Sequence, residues 1–216
     1  MHEIAPFAIP AMRDFVPQKL RPWIIIAFVL VFQFSGGVYL AAVSEMVGST
    51  ALMQEDIMMA GYASMVGMGL TFAIMFRLKF RFPTKVTFFV CGIAIILANL
   101  ICMYTQSIPV LVVTCFFAGI FRMWATFECN STIQLWLTPT RDLSIFFSYI
   151  YLLVQGCIQL SGLITIYTAF WSKWEYMHWL IIGLIGLVML ASVILFRSGR
   201  RESAAFCKGS ILRSSC

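Results

Sequence analysis

Six apolar runs alternate with short polar connectors along the 216-residue chain. They lie at about Trp23 to Val43, Ile57 to Phe76, Val86 to Tyr104, Val110 to Phe127, Leu143 to Phe170 and Met177 to Phe196. A helix rising ~1.5 Å per residue needs roughly 20 residues to cross the hydrocarbon of a bilayer, and the runs come to that length. The pattern therefore predicts six transmembrane helices, the fourth continuing as a polar extension to Trp136. The connectors hold Pro83, Pro109 and Pro139 and are too short for a separate domain. Residues 1–22, with Pro6, Pro10, Pro17 and Pro22 among Arg13, Lys19 and Arg21, read as an irregular cytoplasmic lead-in. No small-residue cleavage site follows a short apolar region, so a cleavable signal peptide is not expected. The expected fold is all-α and integral to the membrane, with a six-span domain over 23–196 and a polar cytoplasmic tail over 197–216.

Composition strengthens the membrane reading. The chain is 61 % hydrophobic and only 11 % charged, with a mean hydropathy of +0.92, whereas soluble domains carry roughly a quarter charged residues. Cys91, Cys102, Cys115, Cys129 and Cys157 fall in or at the ends of apolar runs, and Cys207 and Cys216 lie in the tail. None has CxxC or Cys/His metal spacing, so they read as small apolar residues.

Two histidines, His2 and His178, cannot build an HExxH site, and His178, near the outer start of the sixth run, reads as interfacial. GxSxG and GxxxxGK[ST] are absent. No enzyme activity, cofactor or metal is expected. Asn130-Ser131-Thr132 matches a glycosylation sequon but sits in or beside the membrane on the expected cytoplasmic side, and is discounted.

Charge then orients the spans. All but Lys173 and Arg122 of the fifteen basic residues fall in the two termini or in the second and fourth loops. With six spans these segments share one side, which the positive-inside rule makes cytoplasmic. The net charge of +6 is thereby accounted for by topology, without a nucleic-acid partner.

Against this apolar background the stretch FRMWATFECNSTIQLW, Phe121 to Trp136, stands out. An Arg near the centre of a membrane helix costs roughly 2.5–3.5 kcal/mol on insertion scales, so it faces protein or a wet cavity. Arg122, Thr126, Asn130 and Gln134 recur every four residues and form one slowly drifting stripe. Glu128 lies about 120° around the helix from Arg122, so the two do not pair well. Arg122 must find its partner in an acid elsewhere, a substrate anion, or backbone carbonyls and waters. Glu128 suits either a proton carrier or an ordinary capping or ion-pairing charge. Gln155 and Gln159 share a face of the fifth span, Gln33 and Gly37 have the same spacing in the first, and Asn99 is alone in the third. These residues serve either interhelical hydrogen bonds or, with the Arg122 stripe, one hydrophilic cavity. Ala60, Ser64, Gly67 and Gly69 suggest close helix packing on the second span.

The whole pattern resembles the amino-terminal half of a major facilitator superfamily transporter. That family's loop between spans two and three typically reads G-x-x-x-D-R-x-G-R-[RK]. Here Phe76 to Lys85 keeps Arg81 and Lys85 but lacks both glycines and the aspartate. The family's fourth span commonly carries an arginine linked to proton coupling, and Arg122 falls at the corresponding place. Drug antiporters usually have a Gly-Pro motif in span five, where Gln155 to Gly162 has no proline. The string RMWATFECNSTIQLW is similar to a divergent bacterial, fourteen-span drug-efflux type.

The resemblance implies two inverted three-helix repeats in a bacterial inner membrane, moving a small organic or drug-like solute, with protons, through two six-span halves. Arg122 would then serve coupling or anion pairing, with Gln33, Gln155 and Gln159 in the cavity. The tail RSGRRESAAFCKGSILRSSC is compatible with a genuine tail, an interdomain loop or an out-of-frame end. The expectation is a truncated transporter that lacks its carboxy-terminal half, with a second copy as the next possible partner. The alternative is a six-span interaction or assembly protein without transport of its own.

Overall fold

The computed structural model describes residues 16–17, 19–41, 43–50, 52–82, 84–137 and 143–196. Most of the predicted lead-in and the whole tail, with Cys207 and Cys216, lie outside them, as do Pro83, Pro139 and Arg141. Among the described residues eight helices follow in order: α1 Arg21–Phe34, α2 Val38–Ala41, α3 Val43–Ser49, α4 Gln54–Arg81, α5 Thr84–Tyr104, α6 Ile108–Leu137, α7 Leu143–Trp171 and α8 Glu175–Leu195. Among the described residues four stretches are long and apolar enough to cross a membrane: Thr84–Tyr104, Ile108–Thr132, Tyr151–Trp171 and Glu175–Leu195. These mark a membrane-embedded, all-helical protein. They coincide with the third to sixth predicted runs. The second run lies within the 28-residue α4.

The first run departs from expectation. Instead of one span from Trp23 to Val43, the helix stops at Phe34, and helical structure resumes beyond the interruption with α2 and α3, which flank residue 42 outside the described set. The 14-residue α1 is about 21 Å long, less than the hydrocarbon thickness. The interruption at Ser35, Gly36 and Gly37 has a packing cause. A Cβ on Gly37 would press on the backbone of Ile158 and Gly162 in α7, and one on Gly36 would come within 2.9 Å of Arg122 Nη1. Two carbonyls in the last turns of α1 accept bonds from across the bundle, and the one at Phe34 has no partner within its own helix. Cys157 Sγ donates to Leu30 O at 3.1 Å, and Ser161 Oγ donates to Phe34 O.

α6 is the central helix, touching α1, α4, α5 and α7. Its tightest crossing is with α4, where a Cβ on Gly67 would overlap the Phe116 carbonyl and one on Gly119 the Ser64 carbonyl. Small residues thus let two backbones meet, as van der Waals packing in a membrane requires. Ala60, Ser64 and Gly67 serve the predicted packing role; Gly69 instead faces open space. At one end of the bundle, Phe28 and Phe32 of α1 and Phe196 pack around Phe88 of α5, the Phe88–Phe196 centroids 5.3 Å apart.

Candidate functional site

Arg122 is buried, 5 % exposed, and reaches from α6 toward the break after α1. One guanidinium nitrogen, Nη2, donates to Met68 Sδ on α4, and Nε is buried without a hydrogen bond. No described acid forms an ion pair with it. A cation in this position gains from the carbonyl end of α1, where the helix dipole is negative. The stripe beside it is partly knitted together. Gln33 Nε2 donates to Thr126 Oγ1 at 2.8 Å, and that hydroxyl donates to Arg122 O at 2.9 Å. Gln33 Oε1 and Asn130 Oδ1 are buried without hydrogen bonds. Gln134 lies in α6, and its side chain lies outside the described residues.

Arg122 borders a partly open cavity of about 30 Å³, lined among others by Tyr39, Ser64, Asn99, Cys102, Cys115 and the break at Ser35 and Gly36. That volume holds one or two waters. A drug-sized ligand needs roughly 300–1,000 Å³, so in this conformation the chamber is a small seat of mixed polar and apolar lining rather than a complete solute site.

Three members of the wall carry no weight in the sequence pattern. Tyr39 OH is buried without a hydrogen bond. Cys102 Sγ of α5 and Cys115 Sγ of α6 meet at 3.8 Å. Cys115 does have a periodic signal: it lies seven residues before Arg122, about two helical turns away on the same face of α6. All five described cysteines are buried free thiols, in keeping with their reading as small apolar residues.

His178, in the first turn of α8, is buried within the bundle at 1 % exposure, and its Nδ1 lies 2.9 Å from Asn99 Oδ1. Asn99 Nδ2 in turn donates to Ile95 O, so Asn99 is a link between α5 and α8 rather than a lone polar residue. Gln33 lies against Thr126 rather than in the cavity lining, and Gln155 and Gln159 do not join Arg122 at the cavity. Both are exposed on the outer face of α7, because Cys157, Ser161 and Gly162 occupy the face that meets α1 and α2.

Glu128 lies away from the cavity residues. It accepts a 2.6 Å hydrogen bond from Thr84 Oγ1 at the first residue of α5, where the positive end of a helix favours a carboxylate. Arg81 ends α4 and Lys85 stands in the first turn of α5, so the basic loop motif brackets a two-residue connection. No protein-family model matches the chain, and neither curated proteins nor solved structures match it.

Proposed function

We propose that this chain is a transport module that moves a small organic or drug-like solute across a bacterial inner membrane, coupled to protons, as one six-span unit of a larger transporter. The single observation that carries the reading is Arg122: a buried cation, without an acidic partner among the described residues, bordering a cavity of mixed lining beside an interrupted helix. Intramembrane charge of this kind marks ion and substrate pathways, and interrupted helices at mid-membrane are a recurring way to present backbone groups to a solute.

In this reading the broken segment α1–α3 and α4 complete six spans with both termini cytoplasmic, arranged as two inverted three-helix repeats like one half of a major facilitator. Arg122 pairs with an anionic group of the solute or takes part in coupling, and Gln33 and Thr126 hold the helix beside it. Glu128, anchored to Thr84, is a structural charge. The small chamber is one wall of the site; a second unit, a carboxy-terminal half or another copy, supplies the rest.

The test is solute accumulation in vesicles with an imposed pH gradient, using a panel of small organic anions and cations. Arg122→Ala is expected to insert normally and lose at least tenfold in rate, and full-rate transport by that variant, with its pH-gradient dependence intact, would refute the role of Arg122. A second reading, an assembly protein without transport, is favoured by one observation, the uncovered polar face of α7.

A further inference from the structure

α7 crosses the membrane with its span at Tyr151–Trp171, so Gln159 lies two residues from the middle of a 21-residue segment and Gln155 about one turn nearer its start. Exposed Tyr149 and Tyr151 at one end, and Tyr167 and Trp171 at the other, flank the amides as interfacial aromatic belts do. Both glutamines are exposed, and neither makes a side-chain hydrogen bond with a described residue.

Shorter polar side chains on the same helix behave differently. Cys157, Ser161 and Thr165 donate to Leu30 O, Phe34 O and Ser161 O respectively. The helix therefore spends its small donors inward and turns its two full amides outward, where lipid offers no partner for either the donor or the acceptor. A glutamine in mid-span is also too short to reach the headgroups.

Gly156 stands beside the stripe with open space where its Cβ would be. Small residues at such places let a second helix backbone approach closely. At 100° per residue Ser148, Leu152, Gln155, Gln159, Leu163 and Ile166 fall within about 80° of one another, making one continuous face.

We infer that this face of α7 is the docking surface for a second copy of the chain, the two α7 helices meeting in parallel about a two-fold axis normal to the membrane. The chemistry of the stripe selects that occupant. A primary amide is at once donor and acceptor, so Gln155 meets Gln155 of the second copy, and Gln159 meets Gln159, with every group able to pair. A two-fold interface demands this kind of self-complementarity. The described exposed residues of the stripe include no charge, so two identical faces do not repel. The inference names the partner unit in the transport reading, but it rests on the membrane position of α7 and on neither Arg122 nor solute movement.

The experiment is photobleaching step-counting of the singly labelled full chain in lipid vesicles across a range of protein-to-lipid ratios, with no solute present. The wild type should show a two-step population that dilutes to one step. The double substitution Gln155→Leu with Gln159→Leu should raise the dimer dissociation constant about tenfold or more. Gly156→Leu, which fills the space beside the stripe, should act in the same direction, and both variants should keep wild-type helicity because they touch nothing inside the monomer. A wild type that bleaches in one step at every ratio overturns the inference, as does a double variant that dimerises like the wild type. A photo-cross-linker placed at Leu163 in native membranes should yield an adduct of twice the chain's mass; an adduct with a different protein would overturn the choice of occupant. Loss of transport with dimerisation intact would refute the transport reading alone, and the converse result this inference alone.

Discussion

Gln33 and Gln159 are the same residue type in two membrane helices, and they have opposite fates. Gln33 is fully buried and donates to Thr126 across the α1–α6 contact, whereas Gln159 is exposed on α7 with no hydrogen bond to a described residue. Glycines repeat the contrast: Gly119 is crowded by the Ser64 carbonyl, and Gly156 meets nothing. Polarity and small size in a membrane helix therefore mark a place where helices meet. They do not say whether the neighbour belongs to the same chain. The inner set holds the helices of one chain together, and the outer set is arranged for a neighbour.

That comparison can be broken or sharpened by paired substitutions, read by unfolding of the reconstituted chain in mixed micelles followed by tryptophan fluorescence. The largest difference is expected between the glycines. Gly119→Val should cost about 3 kcal/mol, because the added methyl groups must force α4 and α6 apart at a backbone contact, while Gly156→Val should leave the monomer's midpoint unchanged. Equal effects would erase the distinction between inner and outer faces.

Next comes the α5–α8 link. Asn99→Ala should cost about 2 kcal/mol by leaving the buried His178 Nδ1 unpaired, and simultaneous His178→Leu should recover much of that loss; no recovery would mean that Asn99 acts through something other than His178. Smallest is the glutamine pair. Gln33→Leu should cost about 1 kcal/mol through the lost bond to Thr126, whereas Gln159→Leu should change monomer stability by about 0.5 kcal/mol or less. A monomer destabilised as strongly by Gln159→Leu as by Gln33→Leu would place Gln159 inside the unit after all.

Helix positions were legible in advance because an apolar run of some twenty residues has few alternatives in a bilayer, where backbone groups must bond within their own helix. The third to sixth runs became α5 to α8 with boundaries moved by a few residues. Arg122 was legible as a residue needing protein around it for the same energetic reason. The interruption after Phe34 was less so: Gly36-Gly37 was visible, but glycine is common in uninterrupted membrane helices. Only the packing against Ile158, Gly162 and Arg122 turned the pair into a break.

What the sequence by itself determined is the membrane class, the order of the apolar helices and the four-residue recurrence of polar groups along α6, since all three follow from local periodicity and solvation cost. Tertiary structure alone decided which way each polar face turns. Asn99 found His178 seventy-nine residues away, Gln33 found Thr126 ninety-three away, and Gln155 and Gln159 were turned outward because Cys157, Ser161 and Gly162 fit the α1 break more closely. Periodicity specifies that residues share a face; the close packing of neighbouring helices specifies what that face meets.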